Sequence, residues 1–211
     1  MKDKTSSNKS NLMPFFEKAR QMRVLARATL EITSECNWRC KYCYIASHHN
    51  PGMTYDEIKK LLQELREMGT MDLILTGGEM FLRKDALDII KLARDLHFDV
   101  SVFSNASLIT KCIADKLSEM HISIFSSTIF SLDENVHDEM TQVKGSLKRA
   151  MEGVKHLKSS GVPLQLKAPI TNINTYDYRS VFELCNANDI EFLSDPTVMA
   201  RMDGDRTPCN F

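Results

Sequence analysis

The stretch TYDEIKKLLQELREMGTMDLILT, Thr54 to Thr76, reads as a helix followed directly by a strand. Thr54 and Glu57 have the spacing of a capping box, and Gly69 stands where a helix C-terminus favours a left-handed residue. Ile58, Leu61, Leu62, Leu65 and Met68 recur at helical spacing and make one apolar stripe. Asp72 to Thr76, DLILT, is a short apolar run of strand length.

The same alternation extends in both directions. Upstream lies ATLEIT (Ala28 to Thr33). Downstream come a helical KDALDIIKLARDLH and a strand-like DVSVFSN (Asp99 to Asn105). A helix near Thr110 to Glu119 then leads to SIFSSTIFS (Ser123 to Ser131). Another helix starts at Ser146, stops at Gly161 and leads to VPLQLKAPI, and a last one, about Tyr176 to Ala187, precedes IEFL (Ile190 to Leu193). Six strands separated by five helices imply an α/β fold with parallel strands and right-handed crossovers. A closed eight-stranded barrel needs about 250 residues; the 211 here predict a partial (β/α)6 barrel, TIM-barrel-like. In such a sheet the functional groups gather beyond the C-terminal ends of the strands.

Composition narrows the function classes. The chain is 43% hydrophobic and 26% charged, with 27 basic against 28 acidic residues. That balance gives no general pull toward nucleic acid or an anionic membrane. No segment approaches the roughly 20 apolar residues of a membrane helix, and the polar start MKDKTSSNKSN lacks the apolar stretch of a secretory signal. The expectation is a cytoplasmic protein, where closely spaced cysteines serve as metal ligands or catalytic groups rather than disulfides.

Three of the six cysteines, Cys36, Cys40 and Cys43, fall in one segment, ECNWRCKYCYIAS, after the first strand. The C-x3-C-x2-C spacing lets three thiolates surround one metal centre. A zinc site would want a fourth ligand, which His48 or His49 could supply in a Cys3His set. A [4Fe-4S] cluster on three cysteines would leave one iron open to an outside ligand. TGGEMF follows the second strand and SNAS the third. Gly77 and Gly78 permit close approach to backbone, and Glu79 could hold an ammonium group. Beside an open iron, these groups suit the amino-acid end of a ligand.

CNWRCKYC followed by LILTGGEMFLR resembles the radical S-adenosylmethionine enzymes. The resemblance continues through FSNASLIT, IFSLDENVHDEMTQVKGSLKRAMEGV and LKAPITNIN, and so covers most of the chain from about Ala28. It implies that Cys36, Cys40 and Cys43 ligate a [4Fe-4S] cluster, whose open iron takes S-adenosylmethionine for reductive cleavage to a 5'-deoxyadenosyl radical. Gly77, Gly78 and Glu79 would hold the methionyl amino group, although Met80 stands where the family often has proline. Tyr42 would lie near the adenine, and Ser104, Asn105 and Ser131 would be ribose candidates. In PLQLKAP, Lys167 shares a strand face with Gln165 and points a charge into the sheet's buried side, where the cofactor's carboxylate could meet it.

The wording of the motifs is most similar to maturases of ribosomally made peptides. This implies a peptide or protein substrate and a low-potential electron donor such as flavodoxin or ferredoxin. The expected organisation is a polar tail over residues 1–25 and a catalytic core over 26–198. Residues 199–211 would form a linker toward a C-terminal auxiliary-cluster domain that the chain lacks, leaving a truncated member with Cys209 at its end. The alternatives are a zinc-stabilised binding protein on Cys36, Cys40, Cys43 and His48, and a fragment that binds the cofactors without turnover. Cys112 and Cys185 read as packing residues, and His121 and His137 as surface or capping residues.

Overall fold

The computed structural model describes residues 9–211, with side chains from residue 13 onward. Six strands form one all-parallel sheet in sequential order. They are β1 (Arg27–Glu31), β2 (Asp72–Thr76), β3 (Asp99–Phe103), β4 (Ile124–Thr128), β5 (Leu164–Lys167) and β6 (Glu191–Leu193). The crossovers carry α2 (Tyr55–Glu67), α3 (Ala86–Asp95), α4 (Lys111–Glu119), α6 (Ser146–Ser159) and α7 (Tyr178–Asn188). The sequence reading placed all of these elements, and the strands end two or three residues earlier where it ran them into the loops.

The local signals act as their chemistry dictates. At the start of α2 the Thr54 side chain accepts from Glu57 N–H, while the Glu57 carboxylate accepts from Thr54 N–H at 2.8 Å. Gly69 has φ +91°, a left-handed conformation that releases the chain toward β2. Each strand alternates between two faces. Leu73, Leu75, Val100, Val102, Leu164 and Leu166 are buried beneath the helices. On the other face Thr29, Thr76, Phe103, Ser126, Thr128 and Lys167, from five successive strands, line one cavity, so the sheet curls around it as an incomplete barrel.

Two helices stand where the sequence reading expected none. One is α5 (Glu134–Thr141), whose eight residues are too polar and too few to display an apolar period. It is nucleated by Asp133, which accepts from Asn135 N–H at 2.8 Å. The other, α1 (Lys9–Gln21), occupies much of the stretch read as a loose tail; residues 1–8 of that tail lie outside the described residues. Its Ala19 is buried and its Phe16 ring lies 4.7 Å from the Arg27 guanidinium, which docks the helix beside β1.

Cys185 is fully buried, in keeping with a packing role, and His121 is exposed with φ +50° after α4, as a terminating residue should be. Two readings are corrected. Cys112 is exposed, because it falls on the outer side of the first turn of α4. His137 is fully buried, because α5 folds under the cysteine loop and presents it inward.

Candidate active site

The loops after β1, β2 and β3 meet at the C-terminal edge of the sheet. The first two run side by side: Gly78 N–H donates to Thr33 O at 2.8 Å and Glu79 N–H to Glu35 O at 2.7 Å. A Cβ on Gly77 would lie 2.5 Å from Thr33 O, and one on Gly78 would lie 2.4 Å from Glu35 O. The two glycines are therefore required by the approach of one loop to the other, as well as by any ligand above them. Arg83 adds a second tie: its guanidinium donates to the carbonyls of Ile32, Pro51 and Met53 at 2.8–3.0 Å and pairs with Asp85 at 2.7 Å.

The cysteine loop is held from below by α5. Arg39 N–H donates to Thr141 O and Lys41 N–H to Met140 O, both at 2.9 Å, which satisfies carbonyls left open at the helix C-terminus. The Trp38 ring stands edge-on to His137, with centroids 5.4 Å apart. Sideways, Asn105 Nδ2 donates to Asn37 Oδ1 at 2.8 Å and Asn37 Nδ2 to Ser107 Oγ at 2.9 Å, joining the loop to the end of β3. The sequence reading missed Asn37, Trp38, Arg83 and the α5 support. Their signal lies in contacts across 30 to 102 positions of chain, which a period or a spacing does not carry.

These loops enclose a cavity of about 400 Å³. Cys36, Cys40, Cys43, Tyr42, Gly77, Gly78, Ser104, Asn105 and Lys167 line it, so nine of the eleven expected site residues meet there. Ser131 does not line it; its buried Oγ accepts from Asp133 N–H at 2.8 Å and shapes the turn into α5. Glu79 does not line it either. Its fully buried carboxylate accepts from Phe81 N–H at 2.9 Å, Asn105 N–H at 2.8 Å and Ser104 Oγ at 2.9 Å. It bears on the cavity through Ser104 and Asn105, which do.

Burial sets the electrostatics. It pushes the Cys36 thiol up to about 11, raises Cys40 well above the ordinary range, and raises Cys43 as well. Cys36 is raised further by the Glu79 carboxylate and by Cys43, and Cys40 by Cys43 and Cys36. Three thiolates this close are not stable without a cation among them, and a metal centre is the cation such a donor set accepts. Among the described residues no three His, Cys, Asp or Glu side chains gather tightly enough for a single metal ion. His48, the proposed fourth zinc ligand, lines the cavity with its Nδ1 3.3 Å from Ser34 O. On the opposite wall, burial lowers Lys167 to about 8, and its Nζ lies 3.1 Å from the centroid of the Phe103 ring. Tyr42 packs edge-on against Phe130 at 5.3 Å, and burial raises its phenol.

Known proteins share this fold and part of this sequence. An AdoMet-dependent heme synthase from Oleidesulfovibrio alaskensis is 30% identical over 158 residues, 74% of this chain and 41% of that protein. The sporulation killing factor maturation protein SkfB of Bacillus subtilis is 29% identical over 173 residues, 81% of this chain and 42% of that protein. The chain thus spans about two-fifths of the length of these relatives. Among solved structures, Streptococcus suis SuiB superposes with a TM-score of 0.75 over 93% of this chain and 46% of its own, at 16% identity, which is a likeness of fold. SuiB has also been crystallised with S-adenosylmethionine. The profile of the Radical SAM superfamily, whose members are enzymes that use a [4Fe-4S] cluster and S-adenosylmethionine, matches residues 30–186, and the chain belongs to that superfamily.

Proposed function

We propose that residues 26–198 form the radical-generating core of a peptide-modifying enzyme. The observation that carries the proposal is the meeting of three thiols, two glycine backbones and a buried lysine around one cavity at the C-terminal edge of the sheet. The donor set fits a [4Fe-4S] cluster. The three thiols line one cavity, and thiolates gathered there would call for a cationic centre. Cys36, Cys40 and Cys43 would hold the cluster. When bound, it and S-adenosylmethionine supply a one-electron reductive cleavage that delivers a 5'-deoxyadenosyl radical for hydrogen abstraction.

The chain's own residues bind, orient and exclude water. Gly77 and Gly78 offer backbone to the methionyl amino group, with Glu79 fixing the loop that presents it. Lys167 would meet the carboxylate from the opposite wall, Ser104 and Asn105 would offer polar groups to the ribose, and Tyr42 would lie near the adenine. Ser131 is placed to shape the β4 loop rather than to touch the ribose.

A peptide substrate is supported by the names of relatives: SkfB, a PqqA peptide cyclase from Bradyrhizobium diazoefficiens, and SuiB, crystallised with its precursor peptide SuiA. The electron would come from a low-potential donor such as flavodoxin or ferredoxin in the cytoplasm. No helix among the described residues is long and apolar enough to cross a membrane.

Anaerobic reconstitution with iron and sulfide tests the reading. The expected result is about four irons per chain, release of 5'-deoxyadenosine on reduction with the cofactor, and loss of that product in Cys40→Ala. Retention of one tightly bound zinc instead would overturn it. A loaded protein that forms no 5'-deoxyadenosine would be a binding fragment without turnover.

A further inference from the structure

After β6 the chain leaves the sheet and then returns to the cysteine loop. Met202 N–H donates to the carbonyl of Tyr44, the neighbour of Cys43, at 3.1 Å. The returning segment is a closed turn: Arg201 N–H donates to Asp205 O at 2.8 Å and Gly204 N–H to Arg201 O at 2.9 Å. Within it, Arg201 Nη1 pairs with the Asp205 carboxylate at 3.0 Å. The guanidinium is thus anchored from one side. Its Nε is buried and has no hydrogen-bond partner among the described residues.

The other charges near Cys43 are committed elsewhere. Arg39 Nη1 donates to the Cys36 and Trp38 carbonyls, inside the loop itself. Glu31 receives the Tyr44 hydroxyl. Arg201 and Arg39 are the cations beside Cys43. Arg201 is the one of these two cations that comes from outside the loop and retains a buried N–H for an acceptor.

We propose that Arg201 is a positioning residue for the redox centre: from the Cys43 side of the loop, it supplies a fixed positive charge that stabilises the bound cluster's reduced, more anionic state. The inference rests on the reading of Cys36, Cys40 and Cys43 as cluster ligands. Adding an electron to a thiolate-held cluster increases its negative charge, and the potentials of such clusters follow local charge and hydrogen bonding to sulfur. A guanidinium suits the role because it keeps its proton at any working pH. The carboxylate of Asp205 holds it in place, and the buried Nε edge is screened less by salt than its exposed edge.

The test is an EPR-monitored redox titration of reconstituted protein with dithionite, with iron content and the unfolding midpoint of the metal-free protein measured alongside. Arg201→Gln is expected to load iron fully and to titrate at a more negative potential. Arg201→Lys should restore most of the shift. A wild-type potential in fully loaded Arg201→Gln would overturn the inference alone. So would an equal shift in Arg201→Lys, since that would mark packing rather than charge. Failure of the wild-type chain to take up a cluster would overturn the reading of the cysteines, and the inference with it.

Discussion

Ser104 Oγ lies 2.9 Å from each carboxylate oxygen of Glu79, and both side chains are buried, so the loops after β2 and β3 are joined by a carboxylate closed off from solvent. Phe81 N–H and Asn105 N–H complete its coordination. Glu79→Gln replaces one acceptor oxygen by an amide that faces donors. The expected loss is about 2 kcal/mol of stability, the cost of leaving a buried donor unsatisfied. Urea denaturation of the metal-free protein measures it, and an unchanged midpoint would contradict the role assigned to the carboxylate.

Gly78→Ala forces a Cβ against the Glu35 and Ser34 carbonyl oxygens, at 2.4 and 2.5 Å. Both are backbone atoms in a strand-like pairing, so the strain is not relieved by a side-chain rotation. The variant should lose about 1–3 kcal/mol and displace the segment that carries Cys36. Iron uptake on reconstitution is expected to fall while circular dichroism remains that of the folded protein; full uptake with unchanged stability would show that the loops tolerate separation.

His137 ties stability to pH. Burial lowers its imidazole to about 4 from an ordinary 6.5. It sits neutral against Trp38 and Phe130, with Nδ1 2.9 Å from Ser146 Oγ. In the unfolded chain the ring takes up a proton near 6.5, whereas the folded protein resists until about 4. Falling pH therefore favours the unfolded state across that window, by on the order of 3 kcal/mol. Urea unfolding at pH 7 and pH 4.5 should show the loss, and His137→Gln should flatten it. The difference between the two proteins isolates the imidazole from Glu79, whose raised carboxyl acts in the opposite direction. Equal slopes in both would refute the assignment.

The sheet and its five crossover helices were legible because local chemistry and tertiary need agree there: the Thr54–Glu57 box, the stripe on α2 and the alternation in DLILT all belong to single elements. The cysteines and glycines were legible as a spacing, and the cavity brings them together. α5 was not, because its stability comes from what it supports: Met140 O and Thr141 O meet the cysteine loop, and Asp138 accepts from Ser146 and Leu147 N–H at the start of α6. The inward turn of Glu79 was equally hidden. A carboxylate after two glycines looks like a ligand group until the donors from Ser104 and Asn105, 25 and 26 residues away, are in place.

Lys167 gives the sharpest solution test of the cavity. Its ammonium lies over the Phe103 ring, and no carboxylate pairs with it among the described residues. Burial lowers it to about 8, so the free protein loses this cation as pH rises through that value. An anionic partner binds the protonated form better. Affinity for S-adenosylmethionine in the cluster-loaded protein should therefore hold from pH 6.5 to 7.5 and then decline, approaching about tenfold per pH unit at most, since each unit removes a factor of ten in the competent form. Lys167→Met should bind more weakly at pH 7 and lose the dependence. Equilibrium binding across pH 6.5 to 9.5 measures both. If the wild type and Lys167→Met give parallel curves, the lysine does not meet the carboxylate, and its role is confined to the Phe103 contact.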